Sequence, residues 1–336
     1  MSTQPSFSRR HALIGGAAAT GLLFAPAIVR AQSKRIPVTI VNAGGNITLT
    51  LEEILRQKGF LEEAGLDATF VNVADTSKII GSLIGGDTDI CMLAGFGQVL
   101  PAIEKGARMK VLAGAGTLAP NAIFTGKPEI RSLKDLEGKT VGTGSIGAIL
   151  HQVMVAVLQK NGVDPSKVTF VNVGTTTDIL KAIVAGVIDA GPCNVDTYGV
   201  AEKFRIHSIG DMWKLLPEYP YQGSFATDAT IRNKREALVR TLAAHAKLYR
   251  FISSPESKDV YVAANMKAAN GTAEQGAGAW QFIRDNQPYA VNLTIPDERL
   301  TFLQQINLQT KVQQKIIPNS DVADMSLALD ALKMLG

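Results

Sequence analysis

From Ile36 onward the chain alternates short β-branched runs with longer stretches whose apolar residues recur at helical spacing. The alternation occurs twice, one hundred residues apart. Thr69-Phe70-Val71-Asn72-Val73 returns letter for letter as Thr169-Phe170-Val171-Asn172-Val173, and Thr76, Ile79, Gly86 and Asp89 match Thr176, Ile179, Gly186 and Asp189. Nine identities over 22 positions, without a gap, mark an internal repeat. In each copy the pentapeptide predicts a strand. A helix follows, with Ile79, Ile80, Leu83 and Ile84, or Ile179, Leu180, Ile183 and Val184, predicted on its buried face. Upstream stand another strand, a Gly-rich turn and a helix. These are Val38 to Val41, Gly44-Gly45-Asn46 and Leu49 to Lys58 in the first copy. In the second they are Lys139 to Gly142, Gly144-Ser145-Ile146-Gly147 and Ala148 to Lys160. Such order predicts two mainly parallel α/β units facing each other across a cleft.

After the second copy, Tyr219-Pro220-Tyr221-Gln222-Gly223 breaks the pattern. Ser224 to Ile231 then reads as a strand, and helices are predicted over Lys234 to Phe251, Ser257 to Ala269, Ala273 to Asn286, Pro296 to Gln314 and Val322 to Leu335. This tail is expected to wrap the first unit.

The first thirty-one residues belong to a different pattern. Arg9-Arg10 precede an uncharged Gly/Ala/Leu-rich run from Ala12 to Val29, and Val29-Arg30-Ala31 presents small residues before a cut ahead of Gln32. The segment resembles a twin-arginine export signal, which predicts a soluble periplasmic protein. Its interruption by Gly15, Gly16, Gly21 and Pro26 argues against a membrane anchor. Removing Arg9, Arg10 and Arg30 from 34 basic residues leaves 31 against 30 acids, a net charge of +1. No basic patch remains, so no nucleic-acid partner is expected. Cys91 and Cys193, the only cysteines, are read as small buried residues in different units.

A further set of motifs carries a family resemblance: Leu83-Ile84-Gly85-Gly86-Asp87-Thr88-Asp89-Ile90, Gly106-Ala107-Arg108-Met109-Lys110-Val111, Ser132-Leu133-Lys134-Asp135-Leu136-Glu137-Gly138-Lys139, Leu158-Gln159-Lys160-Asn161-Gly162-Val163 and Ala185-Gly186-Val187-Ile188-Asp189-Ala190. In this order, over Ile36 to Tyr198, the chain resembles the substrate-binding proteins of ATP-driven (ABC) importers for aliphatic sulfonates, taurine, nitrate and thiamine precursors. The resemblance implies a type II periplasmic binding protein fold, closing like a hinge. It places residues 34–126 plus 222–336 in lobe 1 and 127–221 in lobe 2, with crossings near Gly126 and Gln222. It also implies a monomer that hands a small molecule to a separate permease and ATPase, with no cofactor.

In open parallel sheets ligands collect beyond the carboxyl ends of the strands. That rule selects Asn46 and Ile47 in the first turn, and Ser145, Gly147 and Ala148 in its counterpart, where free N–H groups at helix starts suit an anion or carbonyl oxygen. Ordinary capped turns have the same spacing. After the third strand of each unit stand Gly95 and Phe96, and Asn194, Asp196 and Tyr198. The aromatic rings can enclose a ligand or fill a core, and Asp196 can bind a donor or cap a helix. Thr176 completes the set. No arginine lies in any of these turns, which disfavours a doubly charged ligand.

The rival readings are an enzyme resembling the thiamine-pyrimidine synthases and a periplasmic ligand sensor. His151 is the acid–base candidate, but the scattered His151, His207, His245 and two cysteines form no catalytic constellation, so no enzyme is expected.

Overall fold

The computed structural model describes residues 35–73 and 75–336; the expected export signal at residues 1–31 lies outside the described residues. The described residues build ten strands into two five-stranded sheets. In chain order they are β1 (Ile36–Ala43), β2 (Leu66–Val73), β3 (Ile90–Ala94), β4 (Met109–Gly114), β5 (Asn121–Thr125), β6 (Thr140–Thr143), β7 (Thr169–Asn172), β8 (Ala190–Asn194), β9 (His207–Asp211) and β10 (Gly223–Thr227). The first sheet has the order β2-β1-β3-β10-β4 and the second β7-β6-β8-β5-β9. Position by position these are the same sheet. In each, the repeated pentapeptide forms the edge strand and pairs in parallel with the strand before it, Thr39 opposite Thr69 and Thr140 opposite Thr169.

The fourth strand of each sheet is its antiparallel member, and it is the one beside which the chain changes sheets. The outgoing crossing therefore falls between Gly114 and Asn121. That is ahead of the crossing expected near Gly126, because β5 pairs with β8 and β9 of the second sheet. The return falls between Asp211 and Gly223. The two crossings run side by side, Ala115 N–H donating to the Gln222 carbonyl and Gln222 N–H to the Gly116 carbonyl, both at 2.9 Å.

Among the described residues, nine helices of eight residues or more frame these sheets: α1 (Asn46–Lys58), α2 (Thr76–Gly85), α3 (Ile149–Lys160), α4 (Thr176–Val184), α5 (Arg235–Ile252), α6 (Lys258–Ala269), α7 (Ala273–Asn286), α8 (Asp297–Gln309) and α9 (Ser326–Lys333). The central strands β3, β5, β8 and β10 are buried throughout, as strands covered on both faces must be. One core joins Leu51, Ile54 and Leu55 of α1 to Leu242 and Tyr249 of α5, Tyr261 of α6 and Leu327 of α9, so the helical tail wraps the first sheet. A second core runs from Val41 and Phe225 of the first sheet to Val141 and Val153 of the second unit, and on to Leu300 and Leu303 of α8.

The repeated aspartates have a structural task. Asp89 accepts the Thr39 N–H at 2.9 Å and Asp189 the Thr140 N–H at 2.7 Å, each clamping the first strand of its sheet. Lys234 and Lys127 pair with them at 2.7 and 2.5 Å.

Three local expectations change. The strand expected over Ser224 to Ile231 ends at Thr227, whose hydroxyl caps the short helix Asp228–Asn233 by accepting the Thr230 N–H. The helix expected to reach Gln314 stops at Gln309, and the chain reverses with Lys311 in a left-handed conformation. Ile84 and Val184, expected on buried helix faces, are 59% and 45% exposed, because each is on the last turn before a Gly-containing stop.

Candidate functional site

The carboxyl ends of β1, β2, β6 and β7 open into one cavity of about 310 Å³. Four helix starts converge on it: Asn46, Ile47 and Thr48 of α1, Thr76 of α2, Ala148 and Ile149 at the head of α3, and Thr176 of α4. Its floor includes Tyr221 and Gln222 from the return crossing.

The four helices begin in two ways. Asp75 caps α2 by accepting the Ser77 N–H at 2.7 Å, and Thr175 with Asp178 forms a capping box on α4. By contrast α1 starts at Gly45 and α3 at Ala148, neither with a side-chain cap nor an acid in its first turn. The leading N–H groups of a helix have no intrahelical carbonyl and carry the positive end of its dipole. Two such uncapped ends, one from each repeat copy, border the same cavity. Around them stand side chains that are nearly enclosed yet border the cavity: Thr48 at 4% exposure, Thr76 at 7% and Asn194 at 8%. Asn194 accepts the Asn121 side-chain N–H at 3.0 Å, which holds its amide at the rim.

Among the described residues the lining contains no lysine or arginine, and Asp75 is its single formal charge. A ligand here meets hydroxyls, amides and backbone N–H groups, with an apolar wall from Ile47, Ile149, Leu150 and Tyr221. Such a site suits a small molecule with a strong hydrogen-bond acceptor and some apolar body.

The turns are held from behind. Asn42, fully buried, donates to Glu52 at 2.8 Å and accepts the Leu93 N–H at 2.9 Å; Asn72 donates to the other Glu52 oxygen at 2.9 Å. This pins α1 over β1 and β2. The repeated Asn172 reaches Ser145 Oγ at 3.4 Å instead.

Of the residues selected from sequence, Asn46, Ile47, Ser145, Ala148, Thr176 and Asn194 border the cavity together, and Gly95, Phe96, Gly147, Asp196 and Tyr198 do not. Phe96 is fully buried against Gly223, in the shared core. Gly95 is where α3 lands, since a Cβ there would lie 2.8 Å from Ile149 Cδ1. Gly147 has φ +80 and donates to His151 Nδ1 at 3.2 Å, shaping the turn from beneath. Asp196 is buried in a segment packed on α7, and burial pushes its carboxyl up to about 6. Tyr198 is half exposed, edge-on to Phe124, with its hydroxyl donating to Asp211. Sequence reasoning missed Thr48, Asp75, Asn172, Tyr221 and Gln222. Only Asn172 and Asp75 carried a signal, one in the repeated strand and the other at a cap position.

His151 also lies off the cavity. Its Nδ1 is taken by Gly147, its ring meets Phe170 edge-on, and burial lowers its pKa.

This pair of mirrored sheets, joined by two adjacent crossings around one cavity, is the two-lobed fold of periplasmic binding proteins. Residues 54–257 match the family profile described as NMT1/THI5 like, well over half of the chain, and the chain belongs to that family. Among solved structures it is similar to the alkanesulfonate-binding protein SsuA from Xanthomonas axonopodis pv. citri bound to MOPS, with 14% identity and a TM-score of 0.71 over 86% of this chain and 99% of that one. It is also similar to the periplasmic nitrate-binding protein NrtA from Synechocystis PCC 6803, with 12% identity and a TM-score of 0.74 over 90% and 89%. The desulfurization enzyme DSZB shares the architecture, with 14% identity and a TM-score of 0.63 over 89% and 100%. No curated protein matches this chain in sequence. No helix among the described residues is long and apolar enough to cross a membrane.

Proposed function

We propose that this chain is the solute-binding component of an ATP-driven importer, exported to the periplasm by its twin-arginine-type leader. It would capture a small polar or anionic organic molecule between its lobes, close around it, and pass it as a monomer to a membrane permease and its ATPase. One observation carries the reading: the uncapped starts of the two repeat-related helices α1 and α3 border a single cavity. The binding-protein neighbours named above support it.

The enzyme reading draws on the resemblance to thiamine-pyrimidine synthases and on the likeness to DSZB. Among the described residues the cavity lining holds no histidine, cysteine or lysine, and Asp75 is its one carboxylate. Binding without chemistry is the better account.

The test is a thermal-shift screen of the purified protein against sulfonates, carboxylates, amines and pyrimidines. A ligand raises the melting temperature by mass action. Ser145→Ala, which removes one hydroxyl from the cavity wall, should weaken that ligand about fivefold, the usual worth of one hydrogen bond. A ligand bound equally well by the variant would place the site elsewhere.

A further inference from the structure

The internal repeat supplies its own control for the single charge in the cavity. Positions 75 and 175 follow the same strand at the same offset, and both cap the helix that begins at the matched threonines Thr76 and Thr176. In the second copy the cap is a hydroxyl backed by a carboxylate three residues on. Thr175 accepts the Asp178 N–H at 3.3 Å, and the Asp178 carboxylate turns back to Thr175 Oγ1 and N–H at 2.7 and 3.1 Å. That acid serves its own helix and does not border the cavity. In the first copy the cap is a carboxylate. Asp75 uses one oxygen on the Ser77 N–H, and among the described residues it has no ion-pair partner. Each helix start thus has one carboxylate, but only in the first copy does it stand on the cavity wall, with one oxygen left over among the described residues.

The second observation is the enclosed, unspent polarity around it. Thr76, beside Asp75, is 7% exposed, borders the cavity and has no hydrogen-bond partner for its hydroxyl among the described residues. Asn194, 8% exposed, borders the cavity from the second lobe with its amide nitrogen likewise unengaged. Donor-rich helix starts at α1 and α3 attract an acceptor, whereas a carboxylate repels an anion and attracts a cation.

We propose that Asp75 determines specificity, selecting small dipolar molecules that carry an ammonium group as well as an anionic or carbonyl head. The ammonium hydrogen-bonds to the free Asp75 oxygen, and the head takes the N–H groups at the starts of α1 and α3. A simple dianion is excluded, because it would meet one carboxylate and no cation. This rests on the cavity being the ligand site.

The experiment uses probe pairs matched in length and differing in one ammonium: 3-aminopropanoate against propanoate, and 3-aminopropanesulfonate against propanesulfonate. Dissociation constants are measured by calorimetry for the wild type, Asp75→Thr and Ser145→Ala. Asp75→Thr installs the second copy's capping hydroxyl without its partner acid, since Lys78 stands where that copy has Asp178, so the melting temperature without ligand should fall only slightly. For at least one pair the aminated member should bind the wild type about tenfold or more tightly than its partner, as a charged hydrogen bond provides. Asp75→Thr should erase that preference. Equal or tighter binding of the amine-free members, a preference that survives Asp75→Thr, or no binding of any of the four probes overturns the assignment. If the ammonium preference is missing or survives Asp75→Thr while Ser145→Ala still weakens the probes that bind, the cavity stands as the ligand site and only the role of Asp75 falls. If probes bind with no response to Ser145→Ala, the cavity reading falls with it.

Discussion

The seat of α3 on the first lobe makes Gly97→Ala the most informative perturbation of the fold. A Cβ at Gly97 would lie 1.6 Å from Gln152 Oε1 and 2.3 Å from Gln152 Cδ. Gln152 is fully buried, and its amide is committed on both sides. Its Oε1 accepts the Tyr219 hydroxyl at 3.2 Å, and its Nε2 donates to Asn307 Oδ1 and, at 3.5 Å, to the Gly97 carbonyl. Asn307 continues the chain to Gln313, and Gln313 to Gln304, all buried. The added methyl must push Gln152 aside. That leaves a buried donor or acceptor without a partner, at about 1–3 kcal/mol, and overpacks the helix seat by about 1–3 kcal/mol more. We expect a loss of about 3–4 kcal/mol, summing these two mid-range effects. Gly86→Ala is the control. Gly86 has φ +80 with nothing within 4 Å of an added methyl, so only the left-handed backbone opposes the change, at about 1 kcal/mol. Urea unfolding with a constant m-value measures both. Added to Gln152→Ala, the Gly97→Ala change should cost little, because the atom it strikes is gone. A Gly97→Ala protein within about 1 kcal/mol of wild type, or no more affected than Gly86→Ala, would refute this account of the contact.

Further expectations follow from burial. Phe96→Ala should lose about 3–5 kcal/mol as a core cavity, seen in the same unfolding assay; a loss below about 1 kcal/mol would mean that the ring is not part of the shared core. His245 should make the protein acid-sensitive. Its Nδ1–H donates to the Thr241 carbonyl at 2.8 Å, its Nε2 is buried without a partner, and burial lowers its pKa to about 4. A histidine depressed in the folded state binds its proton more readily when unfolded, so its contribution is full above about pH 6.5 and shrinks toward pH 4. Between pH 7 and 5 the loss should be about 2 kcal/mol, measured as the difference in pH dependence between wild type and His245→Gln; identical profiles would refute it.

The amino-acid sequence by itself determined the repeat and its consequences. Thr69-Phe70-Val71-Asn72-Val73 and its duplicate became edge strands of sheets with the same order, and Gly44-Gly45-Asn46 and Gly144-Ser145 became facing turns, because strand and helix periods and Gly-rich breaks are local properties. The same local reading could not rank residues by distance from a cavity. Phe96, Asp196 and Tyr198 follow strand ends just as Asn194 does, yet only Asn194 borders the site, since packing on β10, α7 and Phe124 respectively decides which side of a turn is covered. Tyr221 and Gln222 reach the cavity through the adjacent crossings, a relation between residues about one hundred positions apart that no periodicity encodes. The identity of each element was written locally, whereas the meeting of elements depended on burial and pairing across the whole chain.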